Sequence, residues 1–200
     1  MFPLLETIRF ENGDFSNIAF HVERMERSLK ECFDLTIKFK PLKVLEQILE
    51  ENKWRAGLFK FRFLYNDSNF YTEFVPYTLP DIKLLKPVIS NNIQYRCKYS
   101  DRSALNNLAL KKEEADDIII IKNGLVTDTS FANIVFFENG KWFTPSAPLL
   151  KGTQRAKLLE ERKIIEKRIK FEDIFEFSEI RIINAMIRLE DKISVIVKKG

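Results

Sequence analysis

The chain has 200 residues, 45% hydrophobic and 12% aromatic, enough for one sizeable domain or two small ones around a buried core, which excludes a disordered chain. Its 33 basic and 29 acidic residues leave a net charge of +4 and are dispersed rather than blocked, so the balance gives no reason to expect nucleic acid or an anionic membrane as a partner. Glu6 breaks the apolar continuity that a signal peptide needs, and no stretch approaches the roughly 18 apolar residues of a membrane span.

Three Asn-Gly pairs, Asn12-Gly13, Asn123-Gly124 and Asn139-Gly140, are flanked by β-branched or aromatic residues. Both residues of such a pair tolerate positive φ, as a tight turn between twisted strands requires, so each predicts an antiparallel hairpin. After the first pair, Val22, Met25, Leu29 and Cys32 or Phe33 recur at helical spacing and predict a helix over 20–34. Pro41 then opens a second helix over 41–53, through Leu42, Leu45, Ile48 and Leu49. Residues 57–65 and 69–77 read as paired strands; Lys60 and Arg62 project together from one face because strand side chains alternate. The stretch 78–92 holds Pro80 and Pro87 and reads as a connection, which places a boundary near residue 80 between a smaller part, 1–80, and a larger one, 81–200. Beyond it come a helix near 101–114, the hairpins of 118–144, a helix from Thr153 to about Arg162, and strands near 164–169 and 193–197. The sum is an α+β fold with mostly antiparallel sheet.

The unusual chemistry lies in the larger part. Between the apolar ends of "NGLVTDTSFANIVFF" stand Thr127, Asp128, Thr129, Ser130 and Asn133, and Lys98 precedes a helix in "YRCKYSDR". Gly152, Thr153 and Gln154 open the helix of "PLLKGTQRAKLL", where backbone N–H groups can hold an anion such as phosphate. Cys32 and Cys97 are too few for a disulfide framework and have no metal-type spacing to the single histidine, His21. No metal is expected, and a reducing cytoplasm is the default.

The order and wording of these pieces resemble the class IV aminotransferases, the fold-type IV pyridoxal-phosphate enzymes that include branched-chain aminotransferase, D-amino-acid aminotransferase and 4-amino-4-deoxychorismate lyase. The resemblance runs through "LLETIRFENG", "FHVERMERS", Lys98 with its following helix, "ADDIIIIKNGLVTDTSFANIVFF", "FTP" (143–145), "LLKGTQRAKLL" and "INAMI" (183–187). It implies two subdomains with the cofactor in the cleft between them, a homodimer, and a small-molecule substrate of amino-acid type.

Carried over by position, the resemblance makes Lys98 the lysine that forms a Schiff base with pyridoxal 5'-phosphate and then moves protons as a general base and acid. Arg24 matches the arginine on the cofactor phosphate, for which a planar fork is well suited. Thr153 and Gln154 match the helix-start residues around that phosphate, and Ala185 a further position beside it. Asp128 matches the carboxylate that keeps the pyridine nitrogen protonated, so that the ring can accept electrons. Here the sequence departs from the family's usual glutamate by one methylene, Gln154 replaces a usual threonine, and the chain begins almost at its first motif. Lys60, Arg62, Arg102 and Arg188 are weaker candidates for a substrate carboxylate. His21 reads as a structural histidine and Cys97 as a small packed residue.

Two reactions share this machinery: transamination, which is preferred, and the lyase route that expels pyruvate and yields p-aminobenzoate. The readings from other classes are a cofactor-binding protein with little catalysis and a plain α+β interaction domain.

Overall fold

Asn12 and Gly13 take φ of 49° and 84°, Asn123 and Gly124 51° and 76°, and Asn139 and Gly140 50° and 77°. Each pair turns one strand back antiparallel on the next, as its sequence predicts. The molecule around these turns, described by a computed structural model over residues 2–198, divides into two units. One is Met1–Leu79 with Cys97–Asp101, the other Pro80–Arg96 with Arg102–Gly200.

The first unit contains β1 (Leu4–Glu11), β2 (Asp14–Phe15), α1 (Ile18–Phe33), α2 (Pro41–Asn52), β3 (Leu58–Tyr65) and β4 (Phe70–Pro76), with the strands in the antiparallel order β2-β1-β3-β4. Alternation sends Leu4, Ile8 and Phe10 of β1 and Phe61, Phe63 and Tyr65 of β3 into one core, where Met25 and Leu29 of α1 and Leu45 of α2 pack. Because β2 pairs only with the Phe10–Glu11 end of β1, the other end of that edge needs partners. Residues 97–101, expected from sequence in the larger part, supply them. Leu5 N–H donates to the Lys98 carbonyl at 3.0 Å, Ser100 N–H donates to the Pro3 carbonyl at 2.9 Å, and Leu4 bridges Tyr99.

Cys97 is buried, as a small packed residue would be, but it is also bonded. It forms a disulfide with Cys32 at the end of α1. Two cysteines do not make a framework, yet buried Cys97 and partly buried Cys32 meet at one core.

The second unit contains β5 (Leu84–Ile89), α3 (Ser103–Ala109), β6 (Asp117–Lys122), β7 (Leu125–Thr129), β8 (Asn133–Glu138), β9 (Lys141–Pro145), α4 (Thr153–Glu160), β10 (Ile164–Lys167), β11 (Glu179–Ile183) and β12 (Ile196–Val197). The sheet runs β10-β9-β8-β7-β6-β5-β12, with β11 on β8. Pairing is parallel at β9–β10, β5–β6 and β5–β12 and antiparallel elsewhere. Ile119, Ile121, Val126, Ile134, Phe136, Ile180 and Ile182 build its core.

Two strands differ from the sequence reading. The stretch read as a connection contains β5, and β11 was not predicted. The helix expected over 101–114 is shorter, with a 3-10 turn at Leu110–Lys112 after α3. Among the described residues, no helix is long and apolar enough to cross a membrane, and no group of three His, Cys, Asp or Glu side chains could hold a metal ion.

Candidate active site

In the second unit the polar residues of β7 and β8 have distinct jobs. Thr127 Oγ1 donates to the Ile120 carbonyl at 2.9 Å, and Thr129 Oγ1 accepts from the Phe131 and Ala132 amides at 3.2 and 3.0 Å, closing the turn between the strands. Asp128 is buried among them. Its Oδ1 accepts from Asn133 Nδ2 at 2.7 Å and its Oδ2 from Leu150 N–H at 2.9 Å. Burial pushes its carboxyl up to about 6, against the pull of these donors.

Asn133 Nδ2 also donates to the Leu150 carbonyl at 2.9 Å, which ties β8 to the chain entering α4. Gly152, the N-cap of α4, sits against the same side chain: a Cβ there would collide with Asn133 Oδ1. Since Gly152 has φ of −68° and makes no side-chain cap, close approach rather than backbone freedom explains the glycine. The positive end of the α4 dipole therefore lies at Thr153 and Gln154, both buried. The next residue, Arg155, which sequence reasoning passed over, is also buried; its Nη2 donates to the Pro145 carbonyl at 2.9 Å and to Glu166 Oε1 at 2.6 Å.

Two further segments reach this end of the sheet. Asn184, preceding Ala185, donates its Nδ2 to the Phe131 carbonyl at 3.4 Å and accepts from the Met186 and Ile187 amides. Arg102 Nη2 donates to the Ser130 carbonyl at 2.8 Å. Asp128, Thr153, Gln154, Ala185 and Arg102 are thus connected through Asn133, Leu150, Phe131 and Ser130.

In the first unit Lys98 is half-buried, its backbone fixed to β1 through Leu5. The neighbouring strand residue, Glu6, is fully buried and anchors a charged cluster. Its Oε1 accepts from Arg24 Nε at 2.9 Å, and its Oε2 meets Arg24 Nη2 and His21 Nδ1, the latter at 2.6 Å. Arg24 is buried with it rather than solvated. Burial pushes the Glu6 carboxyl up, but Arg24 and His21 together outweigh it and hold it at about 2. Burial, aided by the charges of Arg24 and Lys98, brings His21 below its ordinary value against the opposing pull of Glu6. At neutral pH the cluster is an ionised carboxylate held by a guanidinium and a neutral imidazole.

Glu6 and His21 were not among the sequence candidates, though a signal existed. Glu6 falls in phase with Leu4, Ile8 and Phe10, and His21 in phase with Arg24, Met25 and Ser28, the buried faces of β1 and α1. Of the weaker candidates, Arg62 pairs with Glu73 across β3 and β4, and Lys60 Nζ lies 5.8 Å from the Tyr77 ring. Arg188 precedes the 3-10 turn Leu189–Asp191 and donates its backbone N–H to Asp191 Oδ2 at 2.7 Å.

The sequence profile of amino-transferase class IV matches residues 3–189. The chain belongs to that family. An uncharacterized protein of Haemophilus influenzae is 43% identical to it over 186 residues, spanning 93% of this chain and 98% of its own length. The crystal structure of a Haemophilus somnus protein described as a candidate 4-amino-4-deoxychorismate lyase is also 43% identical, with a TM-score of 0.89 over 94% of this chain and 98% of that one. A Mesorhizobium loti structure described as a candidate amino-acid aminotransferase shares the fold, with a TM-score of 0.80 at 21% identity over 98% and 99% of the two chains. The family is one of pyridoxal-phosphate enzymes that act on small molecules, and the fold is the mixed α+β type of its members.

Proposed function

We propose that this protein is a pyridoxal-phosphate-dependent enzyme that acts on an amino-acid-type substrate through a Schiff base at Lys98. The observation that carries the reading is the state of Asp128: a buried carboxylate, held by two donors and pushed up to about 6, is stabilised by any cation brought beside it. A protonated pyridine nitrogen is such a cation. The start of α4, where Thr153 and Gln154 lie buried at the positive end of the helix dipole, suits the phosphate of the same molecule.

When bound, pyridoxal phosphate supplies an aldehyde carbon that captures amines and a ring that accepts electrons. Lys98 provides the amine for that capture, and once displaced by the substrate amine it takes the proton from the substrate carbon and returns it. Arg24, Thr153 and Gln154 hold the phosphate, with Ala185 beside it. Asp128 keeps its carboxylate oriented through Asn133 and Leu150, so its charge is in place before the proton moves. Arg102, beside the Asp128 turn, is the substrate-carboxylate candidate in this reading. A homodimer belongs to it as well, while the Cys32–Cys97 bridge speaks against the reducing compartment expected from the cysteine count.

A second ending has its own support. The 43% identity to the Haemophilus somnus protein favours expulsion of pyruvate with formation of p-aminobenzoate over transamination. One experiment tests both: purified protein loaded with pyridoxal phosphate is given a panel of amino donors with a keto acid and, separately, aminodeoxychorismate. Keto-acid exchange supports transamination, and pyruvate with p-aminobenzoate in equal amounts supports the lyase. A protein that acquires no visible imine band with pyridoxal phosphate overturns the reading altogether.

A further inference from the structure

The Glu6–His21–Arg24 cluster lies in a core otherwise built from Leu4, Ile8, Met25, Leu29, Phe61 and Phe63. A buried ion pair adds little stability over apolar side chains of the same volume, because desolvating two charges offsets most of their attraction. Its place in this core calls for another reason.

Geometry supplies one. Glu6 grips Arg24 along the Nε and Nη2 edge, which fixes the plane of the guanidinium and turns its remaining N–H groups away from the carboxylate. The same carboxylate is fixed by His21 Nδ1 at 2.6 Å, one helical turn from Arg24 on the same face of α1. The strand that supplies Glu6 also holds the Lys98 carbonyl through the adjacent residue, Leu5. Consecutive residues of β1 therefore locate two groups that the proposed function uses.

We infer that Glu6 and His21 are positioning residues for Arg24: the imidazole fixes the carboxylate, and the carboxylate presets the guanidinium for the phosphate of the cofactor. The inference rests on the reading of Arg24 as a phosphate contact. Without Glu6 the long arginine side chain regains rotamers, and binding must order it again. Without His21 the carboxylate loses a partner and its grip on Arg24 loosens, while the charge of the pair is unchanged.

The test compares the binding of pyridoxal phosphate and of pyridoxal, which lacks the phosphate, to the cofactor-free protein, followed by the absorbance of the Lys98 imine. Arg24→Ala weakens pyridoxal phosphate by about 10- to 100-fold and leaves pyridoxal unchanged. Glu6→Gln and His21→Leu weaken pyridoxal phosphate about 3- to 10-fold on the same criterion, again without effect on pyridoxal. His21→Asn, whose amide N–H replaces the Nδ1 donor, restores the wild-type value. In the Arg24→Ala background, His21→Leu has no further effect. Should Glu6→Gln fail to fold, the two His21 variants decide alone, since they leave the ion pair in place. Equal weakening of both ligands marks a merely structural role and overturns the inference, as does unchanged affinity in His21→Leu when Arg24→Ala is impaired. Unchanged affinity in Arg24→Ala overturns instead the reading on which it rests.

Discussion

Asn133 Nδ2 donates to Asp128 Oδ1 at 2.7 Å, across the register pair at which β7 meets β8. Because this donor favours the ionised form of a buried carboxylate, Asn133→Leu should destabilise the protein by about 1–3 kcal/mol, the range for a buried polar group left short of a partner. The loss should be greater at pH 8 than at pH 5, where Asp128 is largely protonated. Urea midpoints at the two pH values check this. Equal losses would mean that the bond does not act on the carboxylate charge.

Asp128 and Glu6 should give the cofactor-free protein two opposite pH limbs. Asp128 titrates at about 6 when folded against 3.8 ordinarily, so across that window the folded state binds more protons and stability falls as pH rises. Glu6 titrates at about 2 against 4.5, so between those values the unfolded state binds more protons and stability rises with pH. Each limb is about 3 kcal/mol, at 1.36 kcal/mol for each pH unit between the two states. Thermal melts from pH 2 to 8 should show Asp128→Asn flattening the upper limb and Glu6→Gln the lower. Variants that keep their slopes contradict these assignments.

Gly152→Ala should lower stability by about 1–3 kcal/mol through overpacking, because Asn133 must move to admit the new methyl group. Pyridoxal-phosphate retention should fall with it, at least tenfold on the family reading. Denaturation and cofactor titration of one preparation give both numbers. Native affinity in a destabilised variant would separate the knot around Asn133 from cofactor binding.

Lys98→Ala should abolish the imine and leave the fold intact, since it is the backbone carbonyl of this residue that pairs with β1. Borohydride reduction followed by peptide mapping should place the wild-type label on Lys98. Label on any other lysine removes Lys98 from its role.

The Cys32–Cys97 bridge closes a loop with a sequence separation of 65, for which chain entropy predicts a stabilisation of about 4 kcal/mol. Protein unfolded without reductant should show no titratable thiol, and reduction should lower the unfolding midpoint accordingly. A Cys32→Ser, Cys97→Ser variant as stable as the bridged protein would refute the estimate.

How much of this was legible from the chain depended on whether a signal was local. The three hairpins were, because Asn-Gly meets the positive φ of a tight turn by itself. β5 was hidden by Pro87, yet among the described residues β12 pairs with Leu84 and Leu85. Past them, among the described residues, β5 has β6 beside it, and a proline is tolerated along an open edge. β11 is five residues between single turn formers, Ser178 and Asn184, with no Gly or Pro beside them, and its pairing with β8 defines it. At the site, Asp128, Lys98 and Gly152 stood in recognisable motifs. Arg24 stood in one too, but its grip by Glu6 and His21 did not show, because an acid on a strand and residues on a helix carry no sign of contact until β1 and α1 are known to face each other.

Residues 97–101 belong to the first unit although the chain on either side of them belongs to the second. A single genetic crossover near residue 80 would therefore transplant the first unit without the strand partner that completes β1 and without its lysine. Carrying that unit whole takes breaks on both sides of the five-residue insert as well. The proposed reactive amine thus belongs to the first unit in space but to the second in the order of the chain, and an exchange made by one cut near residue 80 separates the lysine from the strand it completes.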